Sequence, residues 1–100
     1  MPTMTGRLAG RRIVVTGAAS GVGAALARLA ADEGAQVACL DRDQAGARAV
    51  VANLSRPGFG ISADVTKLQS VRDAIEMVAA EMAGIDGLMN SAGVVALGPR

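Results

Sequence analysis

The sequence predicts an α/β fold built on a doubly wound parallel sheet. Three observations carry this. Short apolar runs alternate with longer segments of helical composition, in the order β-α-β-α-β-α-β. Gly or Pro-Gly punctuates the ends of several of these segments. Each apolar run ends in a polar or Gly-rich residue, Thr16-Gly17, Asp41, Asp64 and Asn90, so four strand ends converge on one edge of the sheet. In such sheets ligands bind beyond the carboxyl ends of the strands, where the strand order reverses.

Residues 1–11 read as a flexible lead-in, and residues 12–100 as the N-terminal part of a single domain. Ile13-Val14-Val15 is a β-branched run closed by Gly17, the pattern of a buried strand. Residues 21–33 are rich in Ala and Leu, with Val22, Leu26 and Leu29 on one face and Gly34 as the stop. Residues 36–40 form a second apolar run, closed by Asp41. Residues 43–54 are again helical, with Ala47, Val50, Val51 and Leu54 on one side, and Pro57-Gly58 breaks them. Residues 59–63 give a weaker third strand. Thr66 opens the clearest helix: Thr66 and Gln69 have capping-box spacing. Leu68, Val71, Ile75, Val78 and Met82 follow as one apolar stripe, which predicts core packing. Gly84 ends it, and residues 85–89 form a fourth strand before Asn90.

Composition narrows the chemistry. The chain has 100 residues, a net charge of +1 and no basic run, which speaks against nucleic acid as a partner. It has no His, Tyr or Trp; Phe59 is the only aromatic residue and Lys67 the only lysine. One Cys and no His remove most metal sites and every Ser/His or Cys/His nucleophile pair. Cys39 lies in an apolar run and reads as a small buried hydrophobe rather than a reactive thiol. No stretch is long enough to span a membrane, and no apolar segment has signal-peptide length, so a cytoplasmic setting is expected.

Four motifs carry function. Thr16 to Gly23 is a Gly-rich turn between a strand and a helix. Gly17 suits a tight turn, Gly21 lets the backbone approach a pyrophosphate, and Gly23 lets the helix pack on the sheet. With Ser20 and Val22 they line a helix N-terminus, whose free N–H groups favour phosphate. Asp41, at the end of the second strand, can accept from the two ribose hydroxyls of adenosine and repel a 2′-phosphate. Arg42 is the counterweight, able to pair with a phosphate if Asp41 turns away. Asp64-Val65 follows the third strand, where a carboxylate can accept from the adenine amino group. Asn90-Ser91-Ala92-Gly93 leaves room beside a nucleotide, and the Asn can tie neighbouring strands together.

Together, over residues 7–98, these motifs resemble the short-chain dehydrogenase/reductase family. Its Thr-Gly-x-x-x-Gly-x-Gly is intact as Thr16 to Gly23, its adenine-side Asp resembles Asp64, and its Asn-Asn-Ala-Gly resembles Asn90 to Gly93 with Ser91 for the second Asn. The glycine spacing matches the shorter, single-domain branch, because the extended branch places its second Gly where Ser20 stands.

The resemblance implies a Rossmann-type fold and hydride transfer between nicotinamide and a carbonyl or secondary alcohol, and Asp41, with no basic residue in the Gly-rich turn to offset it, favours NAD over NADP as cofactor. It implies cofactor contacts at Gly17, Ser20, Gly21, Val22, Gly23, Asp41, Arg42, Asp64, Val65, Asn90, Ala92 and Gly93. It also implies a small-molecule substrate and a homo-oligomer at full length. The family's catalytic Ser and Tyr-x-x-x-Lys lie beyond its Asn-Asn-Ala-Gly. No residue here is assigned a catalytic role; the chain reads as the cofactor-binding front part of a longer enzyme, inactive alone. Two other readings remain: a dinucleotide-binding module without turnover, and an S-adenosylmethionine methyltransferase, whose first strand usually ends in an acidic residue where this one has Thr16. A P-loop is excluded, since no Gly-Lys-Ser/Thr follows the first glycine at the right distance. In the family's sheet order a fifth strand covers the fourth, so the isolated chain is expected to be poorly soluble or molten.

Overall fold

The structure, a computed structural model, describes residues 6–90. Seven elements follow one another: β1 Arg12–Thr16, α1 Gly21–Asp32, β2 Gln36–Asp41, α2 Gln44–Ala52, β3 Gly58–Ser62, α3 Leu68–Met82 and β4 Gly87–Asn90. All pairings are parallel and the strand order is β3-β2-β1-β4. The chain therefore winds outward from β1 to β3, then crosses back to place β4 on the other side of β1. That reversal puts the switch point between β1 and β4, with Thr16 and Asn90 side by side in the ladder.

The strands alternate between two apolar layers, as a pleated strand must. Ile13, Val15, Val37 and Cys39 face α1 and α2, which contribute Ala27, Ala30, Ala31 and Ala47. Val14, Ala38 and Leu40 face α3, which contributes Ala74, Val78 and Met82. Central strands buried on both faces explain why β1 and β2 read as unbroken apolar runs. Cys39 is fully buried, and loss of solvent pushes its thiol up to about 11, in keeping with its expected role as an inert core residue.

Several expectations are corrected. On α1 the buried side is Gly23, Ala27, Ala30 and Ala31, while Val22 is 66% and Leu29 57% exposed. Small residues let this helix lie close to the sheet; Leu26 packs at the edge of the core, and Val22 and Leu29 turn outward. On α3 the first member of the stripe, Leu68, is exposed; Ala74 joins Val78 and Met82 inside. The capping box does not form. The Thr66 hydroxyl donates to Asp64 Oδ1 at 2.6 Å, and Gln69 Nε2 donates to Asp73. The Thr66 amide and hydroxyl both donate to Asp64 Oδ1, which holds Thr66 in the preceding turn, and α3 begins one residue later with Lys67 as an N-cap that makes no side-chain cap bond. Residues 6–11 are tied down rather than free. The Leu8 amide donates to the Glu33 carbonyl at 2.8 Å and the Arg7 amide to Glu33 Oε1 at 2.9 Å. An orphan acceptor past the end of α1 thus finds its donor in the incoming chain.

Candidate nucleotide-binding site

The turn between β1 and α1 is shaped by its own sequence. Gly17 has φ +66°, a left-handed conformation that glycine adopts without strain. The Ser20 hydroxyl donates to the Gly17 carbonyl at 2.7 Å and accepts the Gly23 amide at 3.0 Å, which makes Ser20 the N-cap of α1. Such a cap stabilises a helix by about 1 kcal/mol. The first turn of α1 carries no acidic residue, so nothing on the helix itself competes with an incoming phosphate. A Cβ built on Gly21 meets open space, so the surface there is free for close approach.

Two residues of this turn escaped the sequence reading. Ala18 is buried and its amide donates to the Leu40 carbonyl at 3.1 Å. The Ala19 amide donates to Asp41 Oδ2 at 2.9 Å, while Asp41 Oδ1 accepts the Asp43 amide at 2.9 Å. The carboxylate expected to face a ribose is therefore also a fastener between β2 and the Gly-rich turn. Each carboxylate oxygen has a second lone pair, so these bonds leave Asp41 able to accept from a ligand.

A cavity of about 90 Å³ opens at the carboxyl ends of the strands, lined by Gly17, Asp41, Arg42, Ala63 and Val65. Four of these are residues expected from sequence; Ala63, a small buried residue after β3, is added by the structure. Dinucleotide-sized ligands fill clefts several times larger, so this volume suits one subsite only. Asp64 stands next to it. Its Oδ1 accepts from the Thr66 hydroxyl and amide, and these two bonds, the hydroxyl first, hold its carboxyl below the usual range. Its Oδ2 lies 4.0 Å from Arg42 Nε. The Arg42 side chain is 73% exposed, so this pair is worth little and the guanidinium is free to move. Ser20, Gly21, Val22 and Gly23 lie along the helix end beside the cavity rather than in its lining. Asn90 is at the end of β4, and Ala92 and Gly93 lie outside the described residues.

The arrangement has the features of a nucleotide subsite. A small open subsite sits at the ends of β2 and β3, a carboxylate stands at its rim, and an uncluttered helix N-terminus lies alongside. Such a layout defines the class of nucleotide-binding α/β proteins. Among the described residues no group of His, Cys, Asp and Glu could hold a metal ion, and no helix is long and apolar enough to cross a membrane.

Comparison with known proteins narrows the class. The family model described as short chain dehydrogenase matches residues 11–100, and this chain belongs to that family. It is 46% identical over 96 residues to D-threitol dehydrogenase of Mycolicibacterium smegmatis, covering 93% of this chain and 37% of that protein. It is 41% identical over 87 residues to L-fucose dehydrogenase of Oryctolagus cuniculus, covering 87% of this chain and 30% of that protein. Among solved structures it resembles 3-ketoacyl-(acyl-carrier-protein) reductase from Brucella melitensis, complexed with NADH. That match has a TM-score of 0.77 and 34% identity, over 81% of this chain and 33% of the other. The chain spans about a third of the length of these relatives. The methyltransferase reading falls with the family match.

Proposed function

We propose that this chain forms the adenosine and pyrophosphate side of the cofactor site in an NAD-dependent dehydrogenase or reductase. The observation that carries the reading is the Asp41 carboxylate on the rim of the cavity at the end of β2, fastened in place by the Ala19 amide. Fixed there, it accepts from ribose hydroxyls and repels a 2′-phosphate. The first turn of α1 takes the pyrophosphate on its unpaired N–H groups. Asp64 Oδ2 and the Val65 backbone hold the adenine edge, while Gly17 and Ala63 give the ring room. Arg42 and Asn90 complete the contacts. When bound, the dinucleotide supplies or accepts a hydride at its nicotinamide end, against a small-molecule carbonyl or secondary alcohol.

Full-length protein is proposed as a cytoplasmic homo-oligomer that acts on a small molecule, with neither nucleic acid nor membrane as a partner. Titration of the full chain with NAD⁺ and NADP⁺ by calorimetry tests the reading. Tighter binding of NAD⁺ is the expected result. Equal affinities, or tighter NADP⁺, overturn the assignment of Asp41. Affinity for NAD⁺ without turnover of any alcohol or carbonyl points instead to a binding module.

A further inference from the structure

The Gly-rich turn is held from an unexpected side. Asp41 Oδ2 accepts from Ala19 in the turn and Oδ1 accepts from Asp43, both at 2.9 Å. Asp43 is the N-cap of α2, and its Oδ1 accepts the Gly46 amide at 2.9 Å. Gly46 then closes the circuit by contact rather than by hydrogen bond. A Cβ built on Gly46 would lie 2.8 Å from Ala19 Cβ and 2.5 Å from Asp43 Oδ2. Neither distance is tolerated between real atoms. The Asp43 carboxylate can turn away only by loosening its cap bond to the Gly46 amide, a cost to α2 itself, whereas the Ala19 methyl is bound directly to the turn backbone and cannot yield without moving it. The first turn of α2 is thus seated against the turn at the one point where α2 lacks a side chain.

We infer that Gly46 is a positioning residue for the pyrophosphate part of the cofactor site, acting through Ala19 on the shape of the Gly-rich turn. This rests on the proposed cofactor site. Gly46 itself does not line the cavity and carries no group that could touch a ligand. A side chain at position 46 displaces Ala19. That strains the Ala19–Asp41 bond and misplaces the amides that receive phosphate. Ala63 and Val65, on the β3 side of the cavity, are not reached by the displaced methyl.

The test measures binding of adenosine, ADP, NAD⁺ and NADP⁺ to the full chain and to Gly46→Ala. Gly46→Ala is expected to lose on the order of ten-fold in affinity for ADP, NAD⁺ and NADP⁺ alike, the scale of a small overpacking strain passed to the site. Adenosine, which calls on Asp41 but on no phosphate-binding amide, is expected to lose clearly less affinity than ADP. The double variant Ala19→Gly/Gly46→Ala removes the methyl that the new Cβ strikes, and is expected to regain most of the loss relative to Ala19→Gly alone. General destabilisation cannot produce that rescue.

Equal losses for adenosine and ADP, or no rescue in the double variant, overturn the inference. If Gly46→Ala does not fold, Gly46→Ala in the Ala19→Gly background must fold for the inference to stand. If the unaltered chain binds neither ADP nor NAD⁺, the underlying site is wrong, and that outcome is distinct from a failure of Gly46.

Discussion

The Asp41 carboxylate and the Ala19 amide meet at 2.9 Å across 22 residues of sequence, joining the end of β2 to the Gly-rich turn. This bond gives Asp41 two tasks, one toward the turn and one toward a ribose. Asp41→Ala is therefore expected to act on stability and on specificity at once. Loss of a charged acceptor from the Ala19 and Asp43 amides costs about 1–3 kcal/mol, nearer the lower figure because water reaches both. Loss of the ribose acceptor and of repulsion toward a 2′-phosphate lowers the preference for NAD⁺ over NADP⁺ by about ten-fold or more. Calorimetric titration with each dinucleotide and a denaturant curve measure the two effects separately. An unchanged ratio means that Asp41 serves only the turn.

Arg12 and Asp86 make the corresponding fastening at the opposite end of the sheet. Arg12 Nε lies 2.9 Å from Asp86 Oδ2 and Nη2 lies 3.2 Å from Oδ1, and the Arg12 amide adds a bond at 2.8 Å. The guanidinium hydrogen bonds first, then the amide, hold the Asp86 carboxyl down to about 2 from an ordinary 3.8. A carboxyl so lowered binds fewer protons in the folded chain than in the unfolded one. Its contribution is complete above about pH 4 and fades as pH falls toward 2. Asp86→Asn is expected to lower stability near neutral pH and to flatten its dependence between those limits. Some acid sensitivity remains, because Thr66 holds Asp64 down in the same direction. Denaturant curves at several pH values measure it; an equally steep acid limb in the variant shows that the pair contributes nothing.

Ala83 ends α3 in the left-handed region, at φ 60° and ψ 34°. An L-residue there costs about 1–2 kcal/mol, and glycine adopts the conformation freely while giving back part of the gain as entropy of the unfolded chain. The conformation is not optional, since the Ala83 carbonyl accepts from Arg12 Nη1. Ala83→Gly is expected to stabilise the chain by about 0.5–1 kcal/mol in a thermal or denaturant melt. A destabilised variant shows that the Ala83 methyl has a packing role its exposed position does not reveal.

How much of this was legible in the sequence depends on range. All seven elements were visible, because Gly17, Gly34, Pro57-Gly58 and Gly84 punctuate segments of distinct period. Elements shifted by a residue or two at their ends, as frayed termini do. Packing faces were less legible. Bulk points to Val22, Leu26 and Leu29 on α1; Leu26 does pack on the core, but Val22 and Leu29 turn outward and closeness to the sheet selects Gly23, Ala27 and Ala30. The capping box does not form because Thr66 is held in a turn by Asp64 and α3 begins one residue later, with Lys67 as its N-cap. At the site, Gly17, Asp41, Arg42 and Val65 were legible from their motif positions. The fastening of Ala19 by Asp41 was not, since it exists only once β1 and β2 are aligned in register. The Arg12–Asp86 pair, 74 residues apart, was hidden for the same reason.

β4 carries the last prediction. Among the described residues it pairs with β1 on one side and with no strand on the other. Leu88, beside Val14 in register, belongs to the α3 face, yet it is 49% exposed because α3 packs over β2 and β3 rather than β4. An apolar side chain on a strand with unpaired backbone groups is a template for pairing with another copy. The 100-residue chain produced by itself is therefore expected to self-associate. Leu88→Lys puts a charge on that edge and is expected to shift sedimentation toward monomer while leaving far-ultraviolet circular dichroism unchanged. Were β4 already satisfied, the unaltered chain would sediment as a monomer and melt sharply and reversibly, and Leu88→Lys would change neither.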